Sequence, residues 1–417
     1  MALNRDKPPR IAVVGAGIAG LALALNLHQY GLACEVYESV PEVRELGVGI
    51  TLLPHGMREL SALGLQDKLE AAGIENLESV FFNRFGQTIY REPRGLHAGY
   101  PMPEVGIHRG KLHRILFEAT LQRTGTHSVH TDHRCTGVEQ DTNGATLYFE
   151  NSQGQTRESK RFDIVIACDG IHSALRKQFY PAEQLAFAGI NTWRGVTRHK
   201  PILTGKSYMR VGSIKTGKMV IYPIVDNVDG QGNQLINWMA EIEGQDASMN
   251  DWNTGGKADD FIAIFKDWKF DWLDVPALIQ NADQILQYPM VDKDPVAQWT
   301  FGRVTLMGDA AHPMYPRGSN GSAQALIDAR TLAGELIAFS DPVAALHSYE
   351  AKRRDVTARI VHTNRSLPPD FINIKVDELS GDKPFRHIDD VISQAELREI
   401  SENYKRIAGF SLDTLKL

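Results

Sequence analysis

One six-residue turn near the N-terminus constrains this 417-residue chain more than any other feature. Ile11-Ala12-Val13-Val14 is a short apolar run of the kind found in a buried parallel strand, and it leads straight into Gly15-Ala16-Gly17-Ile18-Ala19-Gly20. Leu21 to Tyr30 is rich in Leu and Ala at helical spacing, Gly31 ends it, and Ala33 to Tyr37 reads as a second strand closing on Glu38. Parallel strands joined by a helix cross over right-handedly, so the pattern predicts a doubly wound α/β sheet. Each glycine has a physical reason: Gly15 allows the tight turn, Gly17 lets the backbone approach a pyrophosphate, and Gly20 lets helix and strand pack closely. The helix N-terminus then aims its free N–H groups at the phosphates. Glu38 stands 18 residues beyond Gly20, where a ribose hydroxyl is expected to bind. A purely structural glycine turn is the plainer alternative; strand, helix and acid together weigh against it. The fingerprint does not by itself separate NAD from FAD.

Two more buried-strand runs lie far downstream, Phe162 to Ala167 and Arg303 to Met307. They end in the turns Cys168-Asp169-Gly170 and Gly308-Asp309-Ala310, and ligands of open parallel sheets bind beyond the carboxyl ends of the strands. Between them, residues 187–242 alternate and are rich in aromatic and β-branched types, which predicts antiparallel strands of a second layer. A helix is expected over Asp259 to Trp268 and a strand over Ile285 to Val291. Helices follow from Ser322 to Phe339 and from Pro342 to just before Pro368-Pro369, and a charged tail carries a further helix from Ser393 to Ile407. The fold expected is α/β, a Rossmann-like doubly wound sheet with an inserted β-rich domain and a C-terminal helical tail.

Composition narrows the function. Apolar residues at 42% and charged residues at 23% exclude disordered, collagenous or coiled-coil chains. With 45 basic against 51 acidic residues, a net charge of −6 argues against nucleic-acid partners. No apolar stretch approaches the roughly 18 residues of a membrane span. Met1 to Arg10 lacks a secretory apolar segment. Three cysteines (Cys34, Cys135, Cys168) without CxxC spacing suggest neither disulfides nor zinc, so a cytoplasmic setting is expected. Neither HExxH nor a Ser/His/Asp triad is found, which removes the hydrolase and metal readings. Lys352-Arg353-Arg354 reads as a solvated helix face.

The run Cys168 to Arg176 and the run Gly308 to Pro313 resemble the DG and GD motifs of the FAD-dependent aromatic hydroxylases, the family typified by para-hydroxybenzoate hydroxylase. Glu45 to Ile50, Ile107 to Gly110, Thr192 to Val196, Leu286 to Asp292 and Met314 to Pro316 are similar to its phenazine monooxygenase branch, over residues 10–365. The resemblance implies an FAD-binding domain from residues 1–78, 106–186 and 292–365, and a substrate domain from 79–105 and 187–291, with 366–417 as the tail. It implies that Gly15, Gly17, Ala19, Gly20, Glu38 and Gly49 help hold FAD, with Arg44 and Arg109 beside it. Asp169 would lie near the pyrophosphate and Asp309 on ribityl or ribose hydroxyls. Pro316, Gly318, Asn320 and Gly321 would pass under the flavin ring, where a helix N-terminus favours the anionic reduced flavin. Arg317 departs from the small or apolar residue expected there, and either binds an acidic substrate or faces solvent.

The chemistry implied is NAD(P)H reduction of FAD, reaction with O2 to a C4a-hydroperoxyflavin, and hydroxylation of an aromatic or heteroaromatic small molecule. No protein nucleophile is needed, and no second glycine fingerprint is expected for a transient NAD(P)H. Arg194, Tyr222, Trp238, Tyr288, Pro313 and Met314 are the substrate-pocket candidates, Arg194 for a carboxylate, although aromatics on alternating strands often belong to a core. A flavin reductase or oxidase on the same scaffold, or a non-catalytic FAD-binding sensor, are the rival readings.

Overall fold

The computed structural model describes residues 8–42, 47–244 and 254–415. The fingerprint strand Ile11–Val14 lies at the centre of a six-stranded sheet, parallel to Cys34–Tyr37 on one side and to Ile164–Ala167 on the other. Val304–Leu306 extends the sheet parallel to Ile164–Ala167, the short Thr300–Phe301 closes that edge antiparallel, and Val129–His130 closes the opposite one. Ile11, Val13, Ile164 and Ile166 are buried, as strands covered on both faces must be. Helix Ile18–Gln29 packs on the sheet and against both Arg109–Thr124 and Gly321–Ala338, and a three-stranded meander, Arg134–Asp141, Gly144–Glu150 and Thr156–Phe162, adds Leu147 and Phe149 to the same core.

The second layer is an eight-stranded sheet that draws strands from two parts of the chain. Ala186–His199, Ser207–Ser213, Gly217–Val225, Gln234–Glu243, Thr254–Gly255 and Ala282–Asp292 come from one, and the hairpin Glu78–Phe82/Thr88–Pro93 from the other. Its pairings are antiparallel except between Ser207–Ser213 and Glu78–Phe82. Period-two alternation separates its faces. Cross-strand partners Arg194, Met239 and Val220 share one face with Tyr222, Asn237 and Tyr208. Trp193, Trp238, Ile221 and Met209 share the other, which is covered by Phe261, Phe265 and Trp268.

Most expected elements appear within a few residues of their predicted ends. The stretch expected as one helix over Asp259 to Trp268 is a 3-10 turn at Ala258–Asp260 and a four-residue helix at Ile262–Phe265, because Phe261, Phe265 and Trp268 cap the sheet. The tail holds an unforeseen helix, Phe371–Ser380, before Gln394–Ile407, which Ser393 and Glu396 begin with a capping box. Among the described residues no helix is long and apolar enough to cross a membrane.

Candidate active site

Three adjacent parallel strands end side by side, and that adjacency gathers the three motifs. Val14 gives way to Gly15, Ala167 to Cys168-Asp169-Gly170, and Leu306 to Gly308-Asp309-Ala310. Gly15 has φ +102°, and a Cβ there would stand 2.5 Å from the Cys168 carbonyl oxygen. A Cβ on Gly20 would stand 2.0 Å from the Gly15 carbonyl oxygen, so helix and loop touch only because both are glycine. Gly17 has nothing within 4 Å of its absent Cβ and opens on a cavity of about 350 Å³. The loop is tied down by Ala16 N–H donating to Glu38 Oε2 (2.8 Å) and by His113 Nε2 at 2.6 Å from the Ala16 carbonyl.

That cavity assembles Gly17, Ala19, Gly49, Arg109, Arg194, Tyr222, Asp309, Met314, Pro316, Asn320 and Gly321. A second, of about 300 Å³, shares Arg109, Arg194, Asp309, Met314 and Pro316 with it and adds Thr192, Tyr288 and Pro313. Asp309 opens on the cavities, and desolvation by the surrounding protein pushes its carboxyl up, against the opposing pull of His312 and Arg109. Burial likewise raises the Asp169 carboxyl; its Oδ2 accepts from Ala174 N–H (2.9 Å) while its Oδ1 has no partner. Burial raises the Tyr222 hydroxyl too, so it stays protonated, and the ring stacks on Tyr208 at 4.9 Å. Gly49 N–H donates to Asn237 Oδ1 (2.7 Å), and a Cβ at Gly49 would collide with that side chain.

Several expectations need correction. Trp238 lies on the far face of the sheet, fully buried, donating its indole N–H to Thr197 Oγ1 at 2.9 Å, and lines neither cavity. Gly318 (φ +81°) lines neither cavity; a Cβ there would meet Tyr404 Oη of the tail at 1.8 Å. Arg317 neither faces solvent nor enters a cavity; its side chain is 8% exposed and points at Asp370. Arg353 does not belong to a solvated face, since its Nε donates to buried Asp328 Oδ1 at 2.7 Å. Glu38 lies outside the cavity lining and spends its oxygens on Ala16, Ser39 and Val40. Arg44 lies outside the described residues.

Some site residues escaped sequence reasoning. Arg176, fully buried, donates from Nη1 to the carbonyls of Ala310 (3.0 Å) and Ala311 (2.7 Å) and from Nε to Glu183 (2.8 Å), so it bolts the second motif to the third. A buried chain runs from His312 through Asp328, Arg353, Gln324 and Asn320 to His55. Burial alone would raise Asp328; the adjacent His312 and Arg353 hold it below the usual carboxylate range. Arg176 sits inside a legible motif, but the carbonyls it reaches lie more than a hundred residues away, and nothing local marks the rest.

The cavity fits a dinucleotide: the glycine loop and helix end leave open space at Gly17 and Asp309 is turned into the cavity, whereas Asp169 lies just behind the lining. With an antiparallel sheet as its opposite wall, this is the architecture of a flavoprotein monooxygenase. The chain belongs to the FAD binding domain family, whose profile matches residues 9–263 and 266–364. It is 41% identical to the phenazine 1,6-dicarboxylic acid hydroxylase PhzS of Lysobacter antibioticus, covering 85% of this chain and 89% of that one. It is 34% identical to the 3-amino-4-hydroxybenzoate 2-monooxygenase PtmB3 of Streptomyces platensis, covering 87% and 88%. Klebsiella pneumoniae HpxO, solved with FAD and uric acid, superposes with a TM-score of 0.75 at 26% identity over 98% of this chain and 97% of that one. The chain is accordingly an FAD-dependent monooxygenase that hydroxylates aromatic or heteroaromatic small molecules, with NAD(P)H and O2 as co-substrates.

Proposed function

We propose that the substrate is an aromatic or heteroaromatic carboxylic acid, held by Arg194. Arg194 carries the reading. Its guanidinium lines both cavities, Nε donates to Met239 Sδ (3.3 Å), and no carboxylate pairs with it among the described residues. A half-buried guanidinium in that state is a ready partner for a planar acid. Tyr222, Tyr288, Pro313 and Met314 supply flat or apolar surface for the ring. Both curated relatives described above are named for aromatic acids.

FAD would lie along Gly15, Gly17, Ala19 and Gly20, past Asp169, Arg109 and Asp309, to Gly49 and the loop formed by Pro316, Asn320 and Gly321, with Glu38 behind the ribose. When bound it supplies hydride acceptance from NAD(P)H and activation of O2. The chain's own part is to bind and orient the ring and to exclude water, and the apolar cluster of Val220, Tyr222, Ile224 and Met239 backs that wall. Residues 79–105 and 187–291 serve as the substrate domain, 1–78, 106–186 and 292–365 as the FAD domain. A cytoplasmic site of action agrees with three free cysteines.

The test is Arg194→Gln assayed with hydroxybenzoates, phenazine carboxylates and their methyl esters, scoring product mass and H2O2. A charge-assisted contact of about 1.5–3 kcal/mol predicts a KM for the accepted acid raised about 10- to 150-fold, with the ester unaffected and FAD retained. Equal effects on acid and ester would remove the carboxylate anchor.

A further inference from the structure

The flavin-facing loop is held from behind by the C-terminal tail at three points. Tyr404 Oη donates to Asn364 Oδ1 (3.0 Å) and lies 3.4 Å from the Arg317 carbonyl, its ring leaves room for no side chain at residue 318, and Asn320 Nδ2 donates to the Ala408 carbonyl (3.3 Å). The third tie is ionic. Arg317 Nη2 lies 3.9 Å from Asp370 Oδ2 at the head of the tail, and Lys218 Nζ lies 2.9 Å from the same oxygen. Lys218 pairs in turn with Glu241 Oε2 at 2.8 Å. All four side chains are at least nine-tenths buried.

Register explains what this cluster connects. Lys218 and Glu241 are cross-strand partners, and by period two they share the face that carries Tyr222, Met239 and Arg194. Pro316 and Ser319, on either side of the clasped segment, line the cavity opposite that face. Arg317 and Asp370 therefore join the two walls of the active site from outside it. We propose that Arg317 is a positioning residue: its clasp through Asp370 to Lys218 and Glu241 sets the spacing between the flavin-facing loop and the substrate-binding sheet face. The tail is thus part of the catalytic architecture without touching the reacting atoms. Burial alone would raise the Asp370 carboxyl; the Lys218 and Arg317 charges hold it below the usual range, so the clasp is ionic at neutral pH.

The inference rests on the monooxygenase reading of the same site, but its first readout needs no substrate. Arg317→Gln, Asp370→Asn, the double variant and Arg317→Lys are compared in the full chain, with and without FAD. Hydrogen exchange at the amides of residues 317–322 is expected to rise at least tenfold in Arg317→Gln and Asp370→Asn, without FAD and with it. The double variant should add nothing further, and Arg317→Lys should restore most of the protection. The peroxide share of NAD(P)H oxidation should rise several-fold. Wild-type exchange in Arg317→Gln, additive effects in the double variant, or failure of lysine to rescue overturns the proposal. Should Asp370→Asn not fold, the contrast between Arg317→Gln and Arg317→Lys decides alone. Altered exchange with no acid accepted as substrate would overturn the carboxylate reading and leave the clasp standing.

Discussion

His55 is 1% exposed, with Nε2 2.7 Å from Asn320 Oδ1 and its ring stacked on Phe410 at 5.0 Å. Burial pushes its pKa down to about 4, outweighing the hydrogen bond to Asn320. The folded protein keeps this imidazole neutral where the unfolded chain, titrating near 6.5, takes up a proton. Stability from this group is therefore complete above pH 6.5 and is lost as pH falls toward 4, by about 3 kcal/mol over that window. In His55→Gln, which keeps an N–H for Asn320 but cannot titrate, urea unfolding should show that pH-dependent portion gone. An unchanged difference between wild type and variant from pH 6.5 to 4 would refute it. Single residues differ in how far their environment can be read. Gly15 and Gly20 are legible because backbone conformation and close approach leave a local mark, whereas His55 and Trp238 owe their surroundings to segments far away in the chain.

At the level of elements, the site depends on one helix holding two strand ends in register. The helix Ala174–Phe179 delivers Arg176 to the carbonyls of Ala310 and Ala311, and Glu183 answers both its charge and that of Lys293, whose Nζ lies 3.0 Å from Glu183 Oε2. Arg176→Met removes a buried cation and leaves the carbonyls of Ala310, Ala311 and Asp294 and part of the Glu183 carboxylate without their partner. The expected loss is about 3–5 kcal/mol by urea denaturation. FAD affinity should fall as well, because the 308–310 turn loses its bolt; a variant with wild-type FAD Kd would show that the turn holds itself. The strands themselves are legible as apolar runs ending in Asp-Gly or Gly-Asp turns. Their adjacency is not, since the pairing of Ile11–Val14 with Ile164–Ala167 spans some 150 residues.

Across the whole molecule, the tail stitches the two layers together. Ile372, Val376 and Leu397 pack on Phe81, Ile89 and Tyr90 of the edge hairpin, and Lys405 and Ser401 reach Glu92 at 3.0 and 2.7 Å. Leu397 is fully buried, so Leu397→Ala should cost about 2–5 kcal/mol of local packing. Limited proteolysis should then cut within residues 381–393 several times faster than in wild type. A wild-type cleavage rate would mean that the polar ties to Glu92 and Asp370 suffice to hold the tail.

Local sequence determines the βαβ start, the glycine turn, the motif acids and the alternation of the substrate sheet, because each follows from chain geometry over a few residues. It cannot say which face of a strand meets the cavity or where the tail docks. Nor can it say that Arg317 and Arg353, which look like surface charges, end up buried against Asp370 and Asp328. Tertiary structure decides those matters, since a buried charge is tolerable only where a distant partner arrives to meet it.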